Sequence, residues 1–168
     1  MAWLCLSKDH DQLVRAVNGY VEKLGQFYVW NGRVPRHREL AAGDRILLWN
    51  ESDGLLGHSV IDAITTRSAV VEVPTCPRCE RTDVRRRQRL RPLFRCASRG
   101  CNHEFDVARV VTVKTDEYRA DYSMGWSTPR IPLSPAECRN LGRSAVSQHS
   151  IRPINLDRLA AVAVRIGI

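Results

Sequence analysis

Four of the six cysteines stand in two close pairs, Cys76-Pro77-Arg78-Cys79 and Cys96-Ala97-Ser98-Arg99-Gly100-Cys101, with 16 residues between them. Pro77 and Gly100 put turn formers inside the pairs, so each pair can deliver two thiolates to one point, and two such turns close a tetrahedron around Zn2+. Four thiolates leave no open position for water or substrate, so the expected zinc is structural. Exchanging one cysteine for His103 does not alter that conclusion. Cys5 and Cys138 stand alone, which argues against a disulfide framework.

Nine arginines lie between Cys76 and Cys101, against only Glu80 and Asp83, a surplus of seven in a chain whose net charge is +8. Cations at this density repel one another unless a polyanion is near, so Arg78, Arg81, Arg85, Arg86, Arg87, Arg89 and Arg91 are expected to contact phosphates. A solvated hairpin with one charged face is the plainer alternative. Phe94 and Phe105 read as the small core of such a ribbon rather than as stacking groups.

The aromatic residues suggest a second kind of chemistry. Three tryptophans sit beside polar or turn residues: Trp30-Asn31-Gly32-Arg33, Trp49-Asn50-Glu51 and Gly125-Trp126-Ser127. Indole faces can grip a flat base, with stacking of about 1–3 kcal/mol per base. Tyr122 beside Trp126 adds a stacking group, Asp121 an acceptor for an exocyclic amine, and Ser150 and Arg152 donors. A sheet core is the competing role for each tryptophan.

Catalytic readings fare worse. A nuclease site of the D…(D/E)-x-K type needs an acid two residues before a lysine, and Leu6, Val21 and Thr112 hold those positions ahead of Lys8, Lys23 and Lys114. His10, His37, His58, His103 and His149 are scattered and form no His-Asn-His pattern. His37-Arg38-Glu39 ahead of Cys76 and Cys79 echoes a zinc deaminase, but such an enzyme uses two cysteines and keeps one position for water. The chain is therefore expected not to be an enzyme.

The elements that must position these groups follow from periodicity. Residues 2–6 read as a strand, and Asp9 and Gln12 open a helix carrying Leu13, Val17, Tyr20, Val21 and Leu24 that stops at Gly25. Strands are expected at 26–30, 44–50, 55–63 and 69–73 as an antiparallel meander, and again at 108–114, with 118–126 as loop or strand. Ser134-Pro135-Ala136-Glu137 has the cap, first-turn proline and third-position glutamate of a helix start. Asn155 is placed to cap a last apolar segment through Ile166.

Length and composition set bounds. The chain has 168 residues, 43% apolar and 7% aromatic, enough for one domain with an insertion. Its 26 basic side chains include only three lysines, and the arginine fork suits phosphate and guanine edges. A GC-rich coding sequence also favours arginine but does not place it. No run approaches a membrane span of about 20 residues and the N-terminus lacks a signal-peptide pattern. A cytoplasmic, nucleoid-associated protein is expected.

Trp30-Asn31-Gly32-Arg33, Gly43-Asp44-Arg45-Ile46-Leu47-Leu48-Trp49, Gly54-Leu55-Leu56-Gly57 and Gln148-His149-Ser150-Ile151-Arg152-Pro153 follow one another in an order that resembles the EVE and YTH-like members of the PUA superfamily. The resemblance covers residues 2–73 and 108–156. It implies an α+β fold, a curved antiparallel β-barrel with flanking helices forming a single domain over 1–168, interrupted by a zinc ribbon at 74–107. It further implies an aromatic pocket with Trp30 as one wall and Trp49 or Trp126 as the other. The inserted ribbon departs from the usual pattern and is similar to the zinc-containing 5-methylcytosine-binding proteins of actinomycetes, which act like base-flipping SRA domains. On that resemblance the partner is double-stranded DNA carrying a modified base, with a separate nuclease or restriction protein as a further partner. A modified-RNA reader and a zinc-ribbon adaptor for proteins are the alternatives.

Overall fold

The computed structural model describes residues 1–7, 22–87, 90–144 and 149–168. The stretch on which most of the N-terminal helix is expected, the phosphate candidate Arg89, and Gln148 lie outside the described residues. The described chain is mostly β-sheet with two helices, an α+β protein, and it divides into two compact units. Unit 1 comprises Met1–Ser68 and Thr115–Ile168, and unit 2 is Ala69–Lys114.

Unit 1 is built on a four-stranded sheet in the order β10-β1-β3-β4, where β1 is Ala2–Leu6, β3 Arg45–Asn50, β4 Gly54–Val60 and β10 Ile151–Pro153. Side chains alternate across it as the pleat requires. Trp3, Cys5, Ile46, Leu48 and Ile151 face one buried cluster, and Ala2, Leu4, Leu47, Trp49 and Leu55 face another. The first cluster is closed by Tyr28 and Trp30 of β2 (Phe27–Asn31) and Tyr118 and Ala120 of β9 (Arg109–Asp121). The second is closed by α1 (Pro135–Leu141) and α2 (Leu156–Ile166), through Cys138, Leu141, Leu159 and Ile166. The four-stranded sheet therefore has helices on one face and a second sheet on the other.

Both helices begin where the local sequence says they should. Ser134 accepts from the Glu137 amide and the Glu137 carboxylate accepts from the Ser134 amide, a complete capping box with Pro135 at the start. Asn155 caps α2 by accepting from the Arg158 amide, and Gly167, at φ 87°, ends it.

Strand pairing departs from the expected meander. β1 and β3 run parallel, with Trp3 opposite Ile46 and Cys5 opposite Leu48. β2 pairs not with β3 but with β9, Trp30 opposite Tyr118, in a separate sheet ordered β2-β9-β5, where β5 is Ala63–Thr75. Only β3 and β4 make the hairpin that the Asp53-Gly54 turn implies. Each sheet of described strands is open, and none closes into a barrel. The long strands β5 (Ala63–Thr75) and β9 each contribute residues to both units.

Two glycines of the third sequence motif are explained by close approach. Gly54 has φ 81°, and a Cβ there would lie 1.9 Å from the Leu133 carbonyl oxygen. A Cβ on Gly57 would lie 2.3 Å from Cζ2 of Trp126 and 2.8 Å from the Ser127 carbonyl oxygen, because the indole rests on β4. Gly57→Ala is expected to lower stability by about 1–3 kcal/mol, seen as a lower urea midpoint at unchanged slope. An unchanged midpoint would mean that Trp126 does not rest there.

Candidate metal centre and basic surfaces

Unit 2 carries a three-stranded sheet in the order β6-β7-β8, formed by Val84–Arg86, Phe94–Cys96 and Glu104–Phe105. Cys76 and Cys79 sit on the turn after β5, where the Cys76 amide donates to the Arg81 carbonyl and the Glu80 amide to the Cys76 carbonyl. Cys96 ends β7, and the Cys101 amide donates to the Ser98 carbonyl. Glu80 and Asn102, each directly after the second cysteine of its pair, have φ of 58° and 47°. The two turns thus finish in the same left-handed way, one at a glutamate and the other at an asparagine, of which the asparagine tolerates that conformation better.

The four sulfur atoms lie within 4.8 Å of one another. Cys76 and Cys101 are 3.7 Å apart, Cys79 and Cys96 3.6 Å. A tetrahedral metal with bonds of about 2.3 Å to sulfur needs sulfur–sulfur edges of about 3.8 Å, far longer than a disulfide. All four are free cysteines positioned to bind a metal ion. The Ser98 hydroxyl and amide hold the Cys96 thiol down to about 7 against its burial. At Cys79 the Arg81 amide acts downward, but burial and the three neighbouring sulfurs outweigh it and push the thiol up to about 11. Thiols this close cannot all ionise alone, and a bound cation removes that conflict. His103 stacks on Phe105 with ring centroids 5.6 Å apart, and the cluster consists of the four cysteines.

The arginines around this centre fall into two groups. Arg87 pairs with Glu104, and Arg91 lies 3.3 Å from Asp106. Arg78, Arg81, Arg85 and Arg86 are exposed and make no ion pair among the described residues. Arg85 stands directly opposite Arg95 across the β6–β7 pair, a like-charge pairing that weakens a sheet. Arg95 reaches Glu104 only at 3.9 Å, so Glu104 is shared and Arg85 keeps its charge uncompensated.

The aromatic candidates are dispersed. Trp30 is 1% exposed, stacked between Tyr28 and Tyr118 at 5.8 and 5.5 Å, and its indole N–H donates to the His37 carbonyl at 2.8 Å. Asn31 is buried and accepts from the Arg33 amide at 2.9 Å, while the Gly32 amide donates to Asp116, so the polar residues after Trp30 build a turn. Trp49, 0% exposed, lies on the other face of the four-stranded sheet, under the helices. Trp30 and Trp49 therefore do not share a pocket. The Arg152 guanidinium sits 5.2 Å over the Trp49 ring, and Ser150, two residues earlier, accepts from the Leu6 amide.

Trp126 alone of the four indoles is half-buried, 5.4 Å from the fully buried Tyr122. Asp121 accepts from Arg119 at 2.6 Å. Trp126 and Tyr122 are thus together, at the edge of the core cluster that contains Trp30, whereas the Asp121 carboxylate lies with Arg119 on the other side of β9. Trp30→Ala is expected to cost about 3–5 kcal/mol of stability as a core truncation. A thermal melt like that of the wild type, with only binding lost, would instead assign Trp30 to a ligand.

Sequence reasoning did not find Arg36, Arg143 and His149, which line a cavity of about 380 Å³ together with Ser144, Arg152 and Pro153. No local signal marks them, since Arg36 joins the others from about a hundred positions away. No described helix is long and apolar enough to cross a membrane. Compared with protein-family models, curated proteins and solved structures, the chain matches none.

Proposed function

We propose that the protein binds double-stranded DNA through a zinc-ordered, arginine-rich ribbon and reads a modified base, 5-methylcytosine, with unit 1. The observation that carries the first half is the set of exposed arginines, Arg78, Arg81, Arg85 and Arg86, without ion-pair partners among the described residues and set around a four-thiolate centre. Such a surface suits a polyanion, whose affinity falls steeply with salt as counterions are released. Zinc is the metal this donor set favours, and when bound it supplies structure rather than reactivity, because four thiolates fill its shell. The protein is accordingly read as a binding protein and not an enzyme, acting at the nucleoid with a separate nuclease as partner.

The base-reading half rests on the resemblance of the chain's motifs to PUA-superfamily readers and on the half-buried Trp126 beside Tyr122. Of the four indoles, this one has surface left for a flipped base. Flipping costs a few kcal/mol, and stacking of about 1–3 kcal/mol together with pocket hydrogen bonds must offset it.

The test is a titration of the zinc-loaded protein, at moderate salt, against matched duplexes bearing cytosine, 5-methylcytosine or N6-methyladenine and against an RNA of equal length. Tighter binding to the 5-methylcytosine duplex, lost in Trp126→Ala, is expected. Preference for RNA would move the reading to modified RNA. Equal, salt-sensitive binding to all would remove the base-reading half, and no binding would favour a protein adaptor.

A further inference from the structure

The cavity of about 380 Å³ in unit 1 is lined by Arg36, Arg143, Ser144, His149, Arg152 and Pro153, with no carboxylate among the described lining residues. Three separate stretches of chain bring the arginines there. The loop after β2 carries Arg36 and is pinned where the Trp30 indole N–H donates to the His37 carbonyl at 2.8 Å. Arg143 follows α1, and its amide donates to the Pro153 carbonyl at 3.0 Å. Arg152 lies in β10, opposite Leu4 of β1.

Arg152 decides the chemistry. It is 4% exposed, its guanidinium lies over Trp49, and its Nε donates to the His149 carbonyl at 2.8 Å. Its Nη1 is buried and has no hydrogen-bond partner among the described residues. An arginine cannot shed its charge to escape burial, so such a group calls for an acceptor. Of the nearby carboxylates, Glu51 pairs with Arg139, and Glu39 holds Arg36 at 2.8 Å, so a ligand shares Arg36 with Glu39 while Arg143 and Arg152 supply the uncompensated charge. Arg143 is exposed and makes no ion pair among the described residues.

We propose that Arg36, Arg143 and Arg152, with His149 and Ser144, form a binding site for a phosphoryl oxyanion. Planar guanidinium forks match the oxygen edges of a phosphoryl group, and several donors converging from different stretches suit a tetrahedral, multiply charged ligand. An exocyclic base amine finds no carboxylate in this lining, so the site is chemically distinct from a pocket for cytosine. The oxyanion comes either from a nucleic-acid backbone or from a free phosphate monoester. The proposal does not rest on the DNA reading.

The experiment follows the amide and guanidinium NMR signals of the zinc-loaded full chain during titration with inorganic phosphate and, separately, with the dinucleoside monophosphate of deoxycytidine. Saturable shifts at Arg36, Arg143 and Arg152 are expected, weakened about tenfold or more in Arg143→Ala and unaltered in Arg67→Ala, an exposed arginine of β5 paired with Glu117. Arg152→Met is expected to abolish them. Should that buried substitution prevent folding, the exposed Arg143→Ala still decides. A response to phosphate assigns a free or terminal phosphate, and a response to the dinucleotide alone assigns a backbone phosphodiester. No saturable shift at these arginines with either probe, or wild-type affinity in Arg143→Ala, overturns the site.

Discussion

Removing the metal from this protein, by excess chelator or by Cys76→Ser with Cys101→Ser, is expected to unfold residues 69–114 while unit 1 keeps its structure. Among the described residues of unit 2, the buried hydrocarbon side chains are Val71, Val73 and Phe105, beside Cys76, Cys96 and the small polar Thr75 and Ser98. Three buried hydrocarbon side chains are a small core for a segment of this length, whose ordering costs conformational entropy at every residue. Bound structural zinc contributes about 10–16 kcal/mol in comparable small modules, so the metal is expected to be the largest single support of this unit. Unit 1 has two apolar clusters of its own on the two faces of its central sheet. Amide hydrogen exchange reads the difference directly: protection should vanish across 69–114 and persist in β1, β3 and β4. Undiminished protection in unit 2 under chelation would show that its fold does not need the metal.

The second large effect concerns four of the ribbon arginines that make no ion pair among the described residues. Arg78, Arg81, Arg85 and Arg86 replaced together by alanine are expected to weaken duplex binding by roughly two to three orders of magnitude near physiological salt. The slope of log affinity against log salt should become shallower by about 3–4, as four fewer phosphates are neutralised. Stability should hardly change, because exposed side chains without ion-pair partners support little structure, and relief of the Arg85–Arg95 opposition acts in its favour. Arg87→Ala is the contrast, since Arg87 is held by Glu104 and its loss should touch binding less. Fluorescence anisotropy across a salt series separates these outcomes. Equal slopes for the quadruple variant and the wild type would remove the ribbon from the interface.

What the sequence disclosed divides by range. The gathering of the four cysteines was legible because each cysteine pair is a turn whose spacing alone fixes where two sulfurs go. The helix starts at Ser134 and Asn155 were legible for the same reason, since a cap acts within three residues. Strand existence could be read from alternation, but pairing could not. Nothing in Ala2–Leu6 says that it lies parallel to Arg45–Asn50, or that Phe27–Asn31 pairs with a strand some ninety residues away. Consequently the faces of the sheet were hidden, and with them the fact that Trp30 and Trp49 point into different clusters. Asn31 and Gly32 looked like the rim of a pocket because turn residues and binding residues share a composition. Here they hold a turn whose bonds go to Arg33 and Asp116.

The most direct measurement maps which surface meets nucleic acid, by adding a short unmodified DNA duplex to the labelled, zinc-loaded protein and recording amide shifts residue by residue. Shifts concentrated at 78–86 and around Arg95 and Arg99, fading as salt is raised, are the predicted result. A duplex that binds without moving those amides, or that does not bind at all, would contradict the account.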